Sequence, residues 1–303
     1  MSDDRASEPL AYYSSHGRIT DPGAQAAAFA GLPAGVRALT RAVQGLVFHY
    51  FADEGIFGWR PPKERLPEID TRRVGAMLAR LAALDPRPLT EARPPERRLI
   101  GCCRDFTVLL CAMARHQGIP ARARVGFARY FTPDFYVDHE IVEWWDGGEG
   151  RWRLVDPELG ERHVAHYRIG FDPFDVPRDQ FIVGGRAWQL CRTGAADPET
   201  FGLAPDLPEP RGIRFVRGHV IQDLAALNKM ELLLWDVWGL MQAAPDAGLA
   251  LLDEVAERTQ AADGFADVRR LYATPGLAVP ARIRSLSPAA GPHEVELGDE
   301  RIR

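Results

Sequence analysis

The sequence predicts an α+β fold in which helices flank an antiparallel sheet. Two amphipathic helical patterns, at residues 31–51 and 71–84, come before any strand pattern. Three strand patterns then follow closely, at 121–131, 139–145 and 151–156. The last two are separated by Asp-Gly-Gly-Glu-Gly, a sequence typical of a hairpin turn. Because helices and strands are segregated along the chain instead of alternating, we expect antiparallel pairing.

The composition is that of an ordinary folded protein. The chain has 303 residues, of which 46% are hydrophobic and 26% charged, enough for one large domain or two smaller ones. The formal net charge is −5, so we expect no strong attraction to nucleic acid and no nucleic-acid partner.

We expect a cytoplasmic protein without a membrane partner. Residues 1–18 lack the apolar stretch of a secretion signal. The most apolar run, 230–241, contains Asp236 and is too short to span a bilayer. The four cysteines show neither Cys-x-x-Cys spacing nor a zinc-finger pattern, which argues against disulfides and a structural zinc site.

Residues 1–95 are predicted to form an N-terminal helical segment. The first 20 of them are polar, and we expect these to be loosely ordered. The 71–84 helix should end at Asp-Pro-Arg-Pro, where two prolines prevent its continuation. In the 31–51 helix the apolar residues recur at helical spacing: Val36, Leu39, Val43, Leu46 and Val47.

A third helix begins within Gly-Cys-Cys-Arg-Asp, residues 101–105. Gly118 is expected to end it in the left-handed conformation, and Pro120 prevents its continuation. Its apolar face is formed by Phe106, Leu109, Leu110 and Met113.

Helical patterns return after a loop-rich region that follows residue 160. Residues 191–275 are therefore predicted to be a C-terminal helical segment packed on the core, and residues 276–303 a mobile tail. The predicted helices of this segment are 217–241, 247–260 and 265–273.

The start of the third helix offers chemistry beyond packing. A thiol is a nucleophile only as the thiolate, and free N–H groups at a helix N-terminus favour that anion. The same N–H groups can bind a developing oxyanion. Cys103 lies at this start, so it is the predicted nucleophile, and it needs a base and a group that orients the base.

The predicted hairpin supplies both groups. If its turn is centred between Gly147 and Gly148, His139 lies directly across from Asp156. The same register pairs Ile141 with Leu154, and Glu143 with Trp152. A bulge or an odd loop would change this register. The predicted catalytic residues are therefore Cys103 as nucleophile, His139 as base and then acid, and Asp156 as the residue that orients His139.

Four ordered motifs within about residues 95–160 resemble the transglutaminase-like, papain-fold superfamily. The family's Gly-x-Cys-x-Asp/Glu-Phe/Tyr helix start is matched by Gly101, Cys103, Asp105 and Phe106. Its helix end is matched by residues 118–122, Gly-Ile-Pro-Ala-Arg. Its His-x-x-Val-Glu strand is matched by His139, Val142 and Glu143, and its Trp-x-x-Val-Asp-Pro strand by Trp152, Val155, Asp156 and Pro157.

This resemblance implies a papain-like core over residues 96–190, with a Cys-bearing helix packed on an antiparallel sheet. By the same match Cys103, and not Cys102, carries the reactive thiol. The implied activity is acyl transfer through a thioester on a peptide, amide or thioester substrate, without a cofactor. The acceptor stays open between water, which gives a hydrolase, and an amine, which gives a transferase. The flanking parts look like stand-alone bacterial members of the superfamily, and the oligomeric state is left open.

Alternatives remain at the level of sequence. Cys103 could be a buried structural thiol in a non-catalytic binding module, or it could serve a carrier-thioester amide synthase. Cys102 and Cys111 are interpreted as packing residues. Asp138 is adjacent to His139 and should point to the other face of its strand.

Two further questions stay open. Trp59 and Tyr50 are weak alternatives for a second oxyanion donor. His163 and His166 raise the idea of a metal site near Asp156, but without a His-Glu-x-x-His pattern we predict no metal.

Overall fold

Helices precede and follow the antiparallel strands along the chain, so the protein has the α+β fold that the sequence predicts. The computed structural model describes residues 3–261 and 264–298. No helix within these ranges is both long enough and apolar enough to cross a bilayer. In chain order the helices are α1 Asp3–Tyr13, α2 Val36–Gln44, α3 Glu54–Phe57, α4 Val74–Leu84, α5 Cys103–His116, α6 Glu161–Tyr167, α7 Gly184–Arg192, α8 Ile213–Leu227, α9 Leu249–Ala261 and α10 Phe265–Tyr272. The strands are β1 Val47–His49, β2 Leu99–Gly101, β3 Ala121–Ala128, β4 Tyr136–Asp146, β5 Arg151–Val155, β6 Phe181–Val183, β7 Phe201–Gly202, β8 Asp236–Val237, β9 Arg282–Ser287 and β10 Gly291–Glu296.

The chain folds as two compact units that are not contiguous in sequence. The first consists of Met1–Ala123 and Ile141–Val176, and the second of Arg124–Glu140 and Pro177–Arg303. The chain passes from one unit to the other within β3, again within β4, and after Val176. The predicted succession of segments at 1–95, 96–190 and 191–275 therefore differs from the observed units, because single strands contribute residues to both.

In the first unit, α5 is enclosed by protein. It packs against α2, α4, β1 and β2. The sequence predicts one apolar face, but every residue from Cys103 to Arg115 is buried. Its two arginines are accommodated because they bind backbone carbonyls: Arg115 Nε, for example, donates to Ala121 O at 3.0 Å.

The predicted end of α5 is confirmed. Gly118 has φ +70°, and Ile119 N donates to Ala114 O at 2.9 Å, which closes the last turn. Pro120 then directs the chain into β3.

The predicted 31–51 helix is too long. The helix α2 ends at Gln44, and Val47–His49 instead forms β1, which pairs in parallel with Leu99–Gly101. A Cβ atom on Gly45 would lie 2.8 Å from Ala92 Cα, so this position belongs to a close approach of two backbones. Long-range strand pairing has here overridden a helical pattern of apolar residues.

The predicted 217–241 helix also ends early, at Leu227. Asn228 Nδ2 binds Leu224 O at 2.8 Å, and Lys229 has φ +59°. Met230 N then donates to Ala225 O at 3.0 Å, so the chain turns away from the helix axis. Residues 236–237 form β8 in place of a last helical turn.

Order extends into both terminal segments. Residues expected to be loosely ordered form α1, and Ile19 and Thr20 are buried. The segment expected to be a mobile tail instead forms paired strands: β9 pairs with β10 and β8, and Ile283 and Leu297 are buried. Residues 1–2 and 299–303, also covered by these expectations, lie outside the described residues.

The second unit combines short strand pairings with packed helices, among them α7, α8, α9 and α10. Gly126–Ala128 of β3 pairs antiparallel with β6, and the start of β4 pairs in parallel with β7. The helix α7 packs against both α8 and α9. Arg124 and Asp223 form a fully buried bidentate pair, with both N···O distances at 3.0 Å, which joins β3 to α8.

Candidate active site

Cys103 is the first residue of α5, where the sequence places the nucleophile. The preceding residue, Cys102, is extended, with φ −131° and ψ −175°, and forms the N-cap. Cys103 is 4% exposed. The first turn of a helix has N–H groups without helical partners, so the Cys103 thiol lies where partial positive charge is concentrated.

Asp105 holds the chain in this conformation. Its Oδ2 accepts a hydrogen bond at 2.8 Å from Cys102 N, which is half of a capping box. Asp105 is almost fully buried, and this burial raises the pKa of its carboxyl in spite of the opposing effect of Arg104.

The glycine four residues before Asp105 has a steric cause. A Cβ atom on Gly101 would lie 2.5 Å from Asp105 Oδ2 and 2.9 Å from Asp105 Cβ. A side chain at 101 would therefore displace the carboxylate that binds Cys102 N. Within Gly-Cys-Cys-Arg-Asp, the position of the Asp105 carboxylate therefore requires a glycine at position 101.

Arg104 anchors the same turn to the chain that precedes α4. Its guanidinium donates to the backbone carbonyls of Thr71 and Arg72 and to Asp105 Oδ1. Arg104 is fully buried, so these bonds replace its hydration. The start of α5 is therefore held by the segment before α4 as well as by the Asp105 carboxylate.

The two adjacent thiols differ in environment. A hydrogen bond with the Cys103 side chain favours the Cys102 thiolate, but burial and the Asp105 charge oppose it, and the net effect raises the pKa of Cys102. Cys111 is fully buried in α5, as predicted for a packing residue. Cys191 lies on α7, where burial and, next, Asp197 raise its pKa to about 11.

The other motifs of the sequence meet in one contact of the first unit. Arg122 Nε donates to Glu143 Oε2 at 2.7 Å, and both side chains are buried. The Arg122 guanidinium also lies 4.0 Å from the centre of the Trp152 ring. The Arg122 guanidinium therefore connects the motif at the end of α5 with Glu143 in β4 and Trp152 in β5, which explains why the three motifs occur together.

The hairpin register differs from the predicted one. Val142 pairs with Val155 and Asp146 with Arg151, so the turn consists of residues 147–150. The predicted pairs of His139 with Asp156, Ile141 with Leu154 and Glu143 with Trp152 are wrong. Continued to residue 156, the observed register would bring Ile141 opposite Asp156.

Local hydrogen bonds determine this turn. Asp146 Oδ1 accepts from Gly148 N at 3.0 Å and Glu149 N at 3.2 Å, and Gly150 has φ +63°. The turn therefore begins at Asp146 and ends in a left-handed glycine. The shift from the predicted register is two residues, and it leaves every side chain on its predicted face.

Asp156 lies directly after β5 in the first unit and is fully buried. Its backbone N donates to Pro173 O at 2.9 Å. Its Oδ1 accepts from Glu158 N at 3.0 Å. The carboxylate is thus held in a defined orientation by the turn that follows it.

His139 lies in the part of β4 that belongs to the second unit, and it is 2% exposed. Its ring is surrounded by aromatic edges: Phe131 at 4.9 Å, Tyr130 at 6.1 Å and Phe181 at 6.3 Å between ring centres. Asp138 does not share this environment, because its Oδ1 lies 2.7 Å from Nε2 of His219. The predicted placement of Asp138 on the other face agrees with this pair.

The two side chains considered as oxyanion donors have different surroundings. Tyr50 N donates to Gly101 O at 2.9 Å, so Tyr50 lies beside the strand that leads to Cys103. Trp59 instead packs its ring edge-on against Phe48 at 4.9 Å. Of the two, Tyr50 is next to the segment that carries the thiols.

Sequence reasoning missed a buried cluster in the first unit. His163 Nε2 lies 2.8 Å from Asp53 Oδ1, and Glu158 belongs to the same group. From the sequence, the idea of a metal site paired His163 with His166, three residues away. Asp53 is 110 residues from His163, so no local spacing could have connected them.

Comparisons with known proteins agree with the motifs. Residues 82–157 match the model of the transglutaminase-like superfamily, and this range contains Cys103, His139 and Asp156. The match supports a cysteine-dependent enzyme in general. No curated protein is significantly similar to the chain.

A solved structure from Cytophaga hutchinsonii, described as a candidate cysteine protease, is 16% identical. The similarity covers 56% of this chain and 44% of that one, with a TM-score of 0.34, so the chain spans less than half the length of that protein.

Proposed function

We propose that this chain, which is a member of the transglutaminase-like superfamily by its match over residues 82–157, is an acyl-transfer enzyme whose nucleophile is the thiol of Cys103. The observation that carries the proposal is the start of α5. There Cys103 occupies the first helical position, and Asp105 and Arg104 hold the preceding turn. A thiol that only filled space would not need this support.

In the proposed reaction His139 accepts the Cys103 proton as the sulfur attacks a carbonyl carbon. The carbonyl π electrons move to oxygen, and the resulting oxyanion is stabilised by backbone N–H groups at the start of α5. His139 then gives its proton to the leaving amine or thiol as the C–N or C–S bond breaks, which leaves a thioester on Cys103. An acceptor water or amine, deprotonated by His139, attacks this thioester and regenerates the thiol.

Asp156 has the proposed role of orienting His139 and stabilising its imidazolium form. The fixed orientation of its carboxylate, by Glu158 N, suits such a role. The proposed substrates are peptides, amides or thioesters, and the acceptor is water or an amine.

Intact-mass measurement with panels of amide, peptide and thioester acyl donors tests this function. We expect an acyl adduct on Cys103, and loss of turnover by at least about a thousandfold in Cys103→Ala and His139→Ala. Cys191→Ser is the matched control, because this thiol lies on α7 and has no proposed role.

The products of the same assay separate the remaining alternatives. Release of free acid indicates a hydrolase, and an amide formed with an added amine indicates a transferase. Loading only from carrier-bound thioesters indicates an amide synthase. If no donor acylates Cys103 while the protein is folded, the enzymatic proposal is wrong and the chain is a binding module.

A further inference from the structure

A buried cluster of Asp53, Glu158 and His163 has the composition of a metal site. The three side chains come from the turn before α3, the turn after β5, and α6. Their exposures are 0%, 2% and 4%. One carboxylate oxygen from each acidic residue and one imidazole nitrogen lie within 4.8 Å of one another. We propose that these residues bind a divalent transition metal ion, with zinc as the best match.

A second observation points to a ligand. Within the described residues, Glu158 Oε2 is buried and has no hydrogen-bond partner. A buried polar oxygen without a partner is costly, and an unpaired carboxylate more so. A cation between the three side chains would supply this oxygen with its missing partner.

Asp53 and Glu158 bring two acidic side chains into one buried group with His163. A divalent cation bound among them would compensate the charges of the two carboxylates.

The donor set selects among metals. A nitrogen and two carboxylates suit zinc and its neighbours in the first transition row, whereas calcium and magnesium prefer oxygen alone. Nε2 of His163 and Oδ1 of Asp53 lie 2.8 Å apart. Zinc bound to both atoms would open the pair to about 3.4 Å, the separation of two ligands in a tetrahedral zinc site.

Such a metal would fix two turns of the first unit. Asp53 Oδ2 accepts from His49 N at 2.8 Å, which ties the site to the end of β1. Glu158 N donates to Asp156 Oδ1, which ties it to the turn that carries Asp156. The inference itself does not depend on the proposed acyl transfer, because it concerns binding and stability.

The test uses the full chain, freed of metal by a chelator and then titrated with Zn²⁺ and Co²⁺. We expect one zinc per chain by elemental analysis, micromolar or tighter affinity in competition with a chromophoric chelator, and a visible Co²⁺ spectrum typical of four or five ligands. Zinc should also raise the melting temperature. Absence of stoichiometric binding by the folded wild-type chain would overturn the proposal.

Near-isosteric variants identify the ligands. Glu158→Gln and His163→Gln should each weaken zinc binding at least tenfold and remove the zinc-dependent rise in melting temperature. His166→Gln is the matched control, since His166 is exposed on the same helix. Equal zinc affinity in the wild-type chain and both ligand variants would also contradict the site. Cys103→Ala should keep full zinc binding, so failure of the proposed catalysis and failure of this site give different results.

Discussion

Cys102 and Cys103 are neighbours in sequence but differ in backbone conformation. Cys102 is the extended N-cap whose N–H binds Asp105, and Cys103 is the first helical residue. The proposed nucleophile is the second of them, and its place at the helix start is the physical reason for that proposal. The raised pKa of Cys102 points in the same direction, because a thiol reacts only through its thiolate.

Alkylation kinetics can separate the two thiols. With iodoacetamide at neutral pH, we expect faster labelling of the 102–104 segment in Cys102→Ala, where Cys103 remains, than in Cys103→Ala, where Cys102 remains. In Cys103→Ala the hydrogen bond that favours the Cys102 thiolate is also lost, so labelling of Cys102 should need a more alkaline pH than an ordinary cysteine does. Mass spectrometry of the tryptic peptide that contains residues 99–104 gives the rates. Faster labelling of Cys102 would reverse the assignment.

At the scale of elements, helix packing in the second unit depends on glycines at the start of α7. A Cβ atom on Gly184 would lie 2.5 Å from both C and O of His219 in α8. A Cβ atom on Gly185 would lie 2.6 Å from Ala256 O in α9. These contacts involve backbone atoms, which cannot move without shifting a whole helix. The two glycines therefore set the distance of closest approach of α7 to its neighbours.

Two glycine substitutions should change stability in opposite directions. Gly184→Ala should lower the free energy of unfolding by about 1–3 kcal/mol, because the added methyl group overpacks the contact with α8. Gly218→Ala, within α8, has open space around its Cβ position and should raise the free energy of unfolding by up to about 1 kcal/mol. Urea unfolding followed by circular dichroism measures both. Equal effects of the two changes would contradict the packing described for α7.

Several elements could be predicted from short sequence patterns, and the predictions that were wrong share one cause. The start of α5 at Cys103 and its end at Gly118 depend on caps that lie within a few residues, so the sequence alone determines them. The ends of α2 and α8 could not be predicted in this way. Val47–His49 pairs with a strand about fifty residues away, and Lys229 adopts a left-handed conformation within an apolar run that has helical spacing.

At the scale of the whole molecule, each unit contains a fully buried ion pair next to a strand that continues into the other unit. Arg122 pairs with Glu143 in the first, and Arg124 with Asp223 in the second. In the second pair Asp223 Oδ1 also accepts from Val125 N at 3.0 Å, and Arg124 Nη2 donates to Thr259 O at 2.7 Å. One ion pair thus connects β3, α8 and α9.

Breaking this pair should be costly. In Asp223→Asn the amide keeps a similar shape but removes the charge that balances the buried Arg124, so we expect the free energy of unfolding to fall by about 3–5 kcal/mol. Glu254→Gln is the control, because Glu254 pairs with Arg270 at the surface, where screening makes the pair weak. Chemical denaturation of the two variants is the measurement. Similar stability of Asp223→Asn and the wild-type chain would show that the pair contributes little.

The amino-acid sequence by itself determined the α+β class, the helix that carries Cys103, its two caps, and the motif match to a superfamily of cysteine enzymes. These features depend on residues close together in the chain, where spacing and backbone preferences decide the structure. Only the tertiary structure decided the hairpin register, the strands of the C-terminal segment, and the meeting of Asp53 with Glu158 and His163. The cluster consists of side chains brought together from over a hundred residues apart, so no short stretch of sequence contains it. The register depends on which turn Asp146 closes, and the Asp-Gly-Gly-Glu-Gly pattern by itself permits more than one.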